Sequence, residues 1–171
     1  VTVHQSINDG VIPDLDVSSN LMLDQLNRQD FGFFVKDSLM REKAQSIAQN
    51  MNLEINLKAK VSDLGIADRQ LIAIARAMTR DPKVLILDEP TSSLSAKEAE
   101  RLFGVLDALK SKGVAILYIS HRMSDIRRIA DRIVTMRDGT ISGIFDSKPL
   151  NFEAAVTAML GHKMTDISIQ L

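Results

Sequence analysis

Two adjacent carboxylates, Asp88 and Glu89, close the apolar run Val84-Leu85-Ile86-Leu87, and Pro90 and Thr91 follow them. A carboxylate at the carboxyl end of a strand in an open α/β sheet stands where such sheets bind ligands. Asp88 in that place can hold Mg²⁺, which prefers one or two carboxylates together with phosphate oxygens. Glu89 points elsewhere and can polarise a water. The two acids therefore read as the metal-holding and base-like residues of phosphoryl transfer. The plain alternative is that they only open a turn at Pro90. The apolar strand in front and the Pro-Thr behind weigh against it.

His121 ends the next apolar run, "VAILYIS", and in a parallel sheet successive strand ends lie on one edge. His121 is thus expected on the same rim as Asp88 and Glu89, as a phosphate contact. Gln5 closes the short run "VTVH" and is expected to reach that rim as well.

These residues need strands and crossover helices to position them. "VTVH" reads as a short strand, and residues 6–20, with Gly10, Pro13 and several Asp and Asn, read as loop. From Leu21 to about Lys60 the pattern is helical and polar. Its clearest part is "DSLMREKAQSIAQNMNL", with Leu39, Ala44, Ile47, Ala48 and Met51 on one face. "DRQLIAIARAM" is a second helix, with Leu71, Ile72, Ala75 and Met78 on one stripe, stopped by Asp81-Pro82. "VLIL" and "VAILYIS" read as strands buried on both faces. Between them Ser95 and Glu98 form a capping box, Leu102, Phe103, Leu106 and Leu109 form a buried stripe, and Gly113 is a left-handed stop. "MSDIRRIADR" is a short helix, "IVTMRDGTISGIF" a hairpin around Asp138-Gly139, and "NFEAAVTAMLG" a last helix. The alternation implies a doubly wound α/β core with a helical insert in its front half.

Composition narrows the class. With 171 residues the chain fits one compact domain, and with no cysteine it has no disulfides. Lys and Arg number 21 against 22 Asp and Glu, so no bulk electrostatic footprint for DNA or RNA is present. The arginines 122, 127, 128 and 132 read as a solvated helix face. The longest apolar run, "VAILYI", is far below the roughly 18 residues a membrane helix needs. The opening "VTVHQ" and the closing "DISIQL" read as cuts through a longer polypeptide.

Taken in order, "VLILDEPTSSLS", "AILYISHRM" and "DRIVTMRDGTI" resemble the ATP-binding cassette ATPases. The resemblance runs from Gln5 to about Met164. It implies a P-loop NTPase-like parallel sheet core, here partial, with a helical subdomain inserted before the family's signature segment. Residues 6–80 would be the glutamine-loop and helical part, and residues 81–171 the second nucleotide motif and the rest of the core. By the same resemblance, Asp88 would hold Mg²⁺, Glu89 would be the catalytic base and His121 the switch histidine. Gln5 would contact metal and nucleotide and relay to the transport channel. Leu64, Gly65, Ile66, Ala67 and Asp68 match the signature that meets the ATP of a partner cassette, and Ser92, Ser93, Leu94 and Ser95 match the dimer-contacting loop. "SHRMSDIRRIADRIVTMRDG" and "AVTAMLGHKM" look like the first of two fused cassettes in bacterial importers of simple sugars. That likeness implies ATP and Mg²⁺ as cofactors, a second cassette and an integral-membrane permease as partners, and a solute-binding protein indirectly. The implied place is the cytoplasmic face of the inner or plasma membrane, held peripherally.

The chain departs from that family in three places. None of its eight glycines opens the phosphate cradle G-x-x-x-x-G-K-[ST]. The expectation is therefore that this chain alone neither binds ATP tightly nor hydrolyses it. The signature serine is Gly65, and Asp68 is expected to add negative charge near the partner's phosphate, weakening that composite site. The family's usual Asp in the dimer-contacting loop is Ser95. A non-hydrolysing interaction module is the competing reading, and a cassette of DNA repair or translation ranks below both.

Overall fold

The structure is a computed structural model that describes residues 2–3, 10–26 and 37–161. It divides into two compact units, Val1–His121 and Arg122–Leu171.

The first unit is built on a parallel sheet of β1 (Thr2–Val3), β2 (Val84–Asp88) and β3 (Ala115–Ile119), with β2 in the centre. Val3 is level with Leu87, and Asp88 with Ile119, so the strands end together. The crossover from β2 to β3 is α4 (Ala96–Ser111). The expected capping box is formed: the Glu98 amide donates to the Ser95 hydroxyl, and the Ser95 amide donates to Glu98 Oε2 at 2.8 Å. Leu102, Phe103, Leu106 and Leu109 are buried, each worth about 1.5–3 kcal/mol of transfer free energy. Phe103 meets the ring of Tyr118 on β3, with centroids 6.2 Å apart. Gly113, with φ +84°, releases the chain into β3.

α4 covers the sheet face that carries Leu85, Leu87, Ile116 and Tyr118. Burial on both faces, expected from the unbroken apolar runs, is not what the described residues show. Val84, Leu117 and Ile119 are about half exposed on the opposite face. An apolar run records that a strand is hydrophobic on both sides but not which neighbours cover each side.

Ahead of β2 lie α1 (Val17–Leu26), α2 (Asp37–Asn50) and α3 (Ile66–Met78). α1 begins inside the stretch expected as loop, because Asp16 caps it: the Ser19 amide donates to Asp16 Oδ1 at 2.7 Å. Asn20, fully buried, bonds both backbone groups of Ile12 and the carbonyl of Asp16, which folds residues 12–16 onto the helix. The expected helix through residue 60 stops at Asn50. Residues 57–62 instead exchange backbone bonds with residues 13–18, including Ser18 to Leu57 at 3.0 Å and Val61 to Leu15 at 3.1 Å. Leu39, placed on the buried face of α2 by its spacing, is exposed, whereas Ala44, Ala48 and Met51 are buried. α3 is buried along nearly its whole length. It is tied to α1 by Arg76, which grips both oxygens of Asp24 at 2.9 and 3.2 Å and also donates to the Gly10 carbonyl.

The second unit holds α5 (Met123–Ile129), the antiparallel pair β4 (Ile133–Arg137) and β5 (Thr140–Phe145), and α6 (Phe152–Leu160). Asp138 and Gly139 both have positive φ, 50° and 76°, the conformation a tight hairpin turn requires. α6 packs on the hairpin. It starts at the Asn151 cap, whose Oδ1 accepts from Ala154 N–H, and ends at Gly161 in the left-handed region.

Candidate functional site

The parallel register brings the ends of β2 and β3 to one edge, as the sequence requires. Asp88 is the last residue of β2 and continues the face of Val84 and Ile86. At Glu89 the chain turns with φ +48°, a conformation costly for a residue with a Cβ. The Glu89 amide donates to the Ile119 carbonyl at 2.9 Å, so the turn stays bonded to β3. This twist sends the Glu89 side chain toward the residues that follow β3.

There Glu89 meets His121. Oε1 accepts from the His121 backbone amide at 3.0 Å and lies 2.7 Å from Nδ1. An ionised carboxylate has no proton to give, so Nδ1 carries the proton. In neutral His121 the lone pair is then on Nε2, and the ring is largely exposed. Oε2 of Glu89 is buried and has no hydrogen-bond partner. A buried carboxylate oxygen without a donor is costly, and it is the kind of acceptor a water satisfies.

Behind the pair, Thr91 is fully buried and its hydroxyl lies 3.3 Å from the Tyr118 hydroxyl, a further tie between the two strand ends. Ser92 and Ser93 are exposed, Leu94 is buried beneath them, and Ser95 starts α4. The backbone bonds Ser92 to Glu89 and Leu94 to Thr91 close this loop into successive turns. Gln5 lies outside the described residues.

Leu64, Gly65, Ile66, Ala67 and Asp68 form the entry to α3. Gly65 is its N-cap, with φ −65° and ψ 164°, and supplies no side-chain cap. The first N–H groups of the helix therefore lack an intrahelical acceptor. Asp68 does not lie free at this end. Its Oδ1 accepts from Arg101 Nη2 of α4 at 3.0 Å, and both side chains are partly exposed. The negative charge expected at the mouth of this segment is paired instead. Arg101 was not legible as a functional residue, since the contact joins positions 33 apart and no local pattern announces it.

The entry of α3 and the Glu89–His121 rim thus carry different chemistry: unpaired amides at one, an anchored carboxylate with a free oxygen at the other. Among the described residues no three His, Cys, Asp or Glu side chains converge as a metal cage. Asp88 is thus not part of a cage of His, Cys, Asp or Glu among the described residues, and a lone carboxylate of this kind suits Mg²⁺ that arrives with phosphate oxygens.

Comparison with known proteins bears on this arrangement. A family model described as ABC transporter matches residues 1–92. The chain is 38% identical over 164 residues to the ribose import ATP-binding protein RbsA of Lactococcus lactis subsp. lactis, covering 96% of this chain and 33% of that protein. It is 37% identical over 164 residues to the galactose/methyl galactoside import ATP-binding protein MglA of Fusobacterium nucleatum subsp. nucleatum, covering 96% of this chain and 32% of that one. The chain spans about a third of the length of these curated relatives. Among solved structures it is similar to the ATP-binding cassette MJ0796 in a dimeric post-hydrolysis state bound to ADP and Pi. The TM-score is 0.67 at 25% identity, over 84% of this chain and 60% of that one. A nucleotide-free ATP-binding cassette at 22% identity shares the fold, with a TM-score of 0.73 over 99% of this chain and 69% of that one.

Proposed function

The chain belongs to the ABC transporter family, and we propose that it is part of an ATP-hydrolysing subunit that powers import of a sugar or related small solute through an integral-membrane permease. The observation that carries this reading is the state of Glu89: one oxygen is anchored by His121 and the other is buried and unpartnered at a strand edge. A base that must align a water needs that division of labour, with fixed orientation on one oxygen and a free acceptor on the other.

The roles follow. Asp88 would hold Mg²⁺, directly or through water. When bound with nucleotide, Mg²⁺ supplies charge neutralisation on the phosphates. Glu89 orients the attacking water with Oε2. His121 holds Glu89 through Nδ1–H, and with a second proton on the ring it would donate Nε2–H to the terminal phosphate. Gln5 contacts metal and nucleotide and relays to the permease. Leu64–Asp68 at the α3 N-terminus faces the nucleotide of a second cassette, fused or separate, and Ser92–Ser95 meets that cassette. Residues 6–80 act as the helical and signature part, and residues 81–171 as the motif-bearing remainder of the core. The subunit works peripherally at the cytoplasmic face of the membrane, fed by a solute-binding protein, without nucleic acid.

The chain has no G-x-x-x-x-G-K-[ST] cradle, so by itself it neither holds ATP tightly nor turns it over. Gly65 favours a second reading for one half of the assembly: with no hydroxyl at that cap, the composite site using this segment is weak and the opposite one carries most turnover. The test is ATPase assay of the chain joined to a segment that supplies the cradle, beside the chain alone. Glu89→Gln in the joined protein should lower turnover about 10²- to 10³-fold while ATP binding persists. Unchanged turnover in that variant, or none in the joined native protein, rejects the reading.

A further inference from the structure

The entry to α3 raises a problem of charge. A phosphate approaching the amides of Ile66, Ala67 and Asp68 gains from their unpaired N–H groups and from the positive end of the helix. Asp68 sits in the same first turn and, left to itself, repels that phosphate. We propose that Arg101 is a positioning residue for this segment: by pairing with Asp68 it neutralises the carboxylate and draws it toward α4, leaving the amides open to phosphate. The proposal rests on the functional reading above, in which this helix end faces a nucleotide.

Three observations support it. The Arg101–Asp68 contact, at 3.0 Å, joins the first turn of α3 to the first turns of α4. α4 is capped by Ser95, at the end of the loop that leaves Glu89, so the pair ties the entry of α3 to the helix that follows that loop. Arg101 has room to take this position. It lines a cleft of about 350 Å³ with Met51, Asn52, Glu54, Leu71 and Gly104, and a Cβ at Gly104 would meet no atom within 4 Å. Two other carboxylates lie near Arg101: Glu54 across the cleft, and Glu98, which is bonded to Ser95. Asp68 is the one in hydrogen-bond contact with it.

The consequence is separable from packing. Removing Arg101 frees a negative charge at the amides, and removing Asp68 as well takes that charge away again. The test titrates the ¹⁵N-labelled chain with inorganic phosphate and follows the amide signals of Ile66, Ala67 and Asp68 in the native chain, Arg101→Ala, Asp68→Asn and the double variant. Arg101→Ala should weaken phosphate binding roughly three- to tenfold, about the effect of one exposed unit charge at this range. Asp68→Asn should bind at least as tightly as native, and adding Arg101→Ala to it should weaken binding by less than the same change does in the native chain; an equal loss in both backgrounds overturns the proposal. A purely structural pair would lower the melting temperature of Arg101→Ala and leave its phosphate affinity at the native value, which overturns the proposal. So does the absence of any phosphate response at these amides in the native chain. Should Arg101→Ala fail to fold, Arg101→Lys, which keeps the charge, is expected to bind like native, and a loss there equally overturns it. ATP turnover by the chain joined to a cradle segment is read separately. Its absence, with the phosphate response intact, sinks the functional reading and leaves the role of Arg101 standing.

Discussion

Nδ1 of His121 lies 2.7 Å from Oε1 of Glu89, and the backbone amide of the same histidine donates to the same oxygen at 3.0 Å. Both contacts use one carboxylate oxygen, so the side chain is held by a single residue 32 positions away. The ring must then carry its proton on Nδ1 when neutral. ¹⁵N shifts of the His121 ring should report the Nδ1–H tautomer at alkaline pH, and Glu89→Ala should abolish that preference. An Nε2–H tautomer in the native chain would refute the pairing.

The backbone at Glu89 gives a second expectation. Its φ of +48° places a Cβ-bearing residue in the left-handed region, at a cost of about 1–2 kcal/mol. Glu89→Gly and Glu89→Ala both lose the bonds to His121, but only glycine relieves the strain. Glu89→Gly should therefore be more stable than Glu89→Ala by about 1 kcal/mol in urea unfolding. Equal stabilities would show that the turn relaxes when the carboxylate is gone.

Gly65 is open to repair. Its φ of −65° and ψ of 164° suit an N-cap, and a Cβ there meets no atom within 4 Å. In Gly65→Ser the hydroxyl oxygen can accept from a first-turn amide, while its proton stays free for a phosphate. The stability gain should be small, about 0.2–0.5 kcal/mol. ATP turnover in the cradle-joined protein should rise. Turnover that stays flat would mean that Gly65 is not what weakens this segment.

Much of this was legible because it is local. The Ser95–Glu98 box, the stripe of α4, the turn at Asp138-Gly139 and the Gly113 stop each lie within a few residues, and all appear as read. Parallel strand ends sharing an edge put His121 beside Glu89 without any local signal, since topology alone dictates it. What stayed hidden is non-local or depends on neighbours. Arg101 reaches Asp68 across 33 positions and Arg76 reaches Asp24 across 52. The helix expected to run to residue 60 gives way where Asn52 adopts a φ of 52° and where Asn56 Oδ1 takes the Lys58 amide at 3.0 Å. Both are turn habits of asparagine that a helical periodicity count passes over.

Asp24 ties stability to pH. Burial alone would raise its carboxyl pKa, but hydrogen bonds from Arg76 and Arg80 and their two charges outweigh burial and hold it below 3.8. Arg76 grips both oxygens and Arg80 adds a contact at 2.5 Å, with Asp24 only 13% exposed. Because the folded value lies below the unfolded one, the unfolded chain takes up the proton first. The contribution is therefore fully present above the ordinary carboxyl range and is lost as pH falls below 3.8 through the depressed folded value. Asp24→Asn leaves Arg76 and Arg80 without their anion, and at neutral pH it should cost about 1–3 kcal/mol in urea unfolding. Toward acid the native chain protonates Asp24 and loses what the variant already lacks, so the two curves should converge below the ordinary carboxyl range. A gap that stays constant with pH would show that the Asp24→Asn variant is destabilised through packing rather than charge. Arg76→Lys, which keeps the charge but not the two-pronged grip, should show a smaller gap at neutral pH that closes over the same acid range.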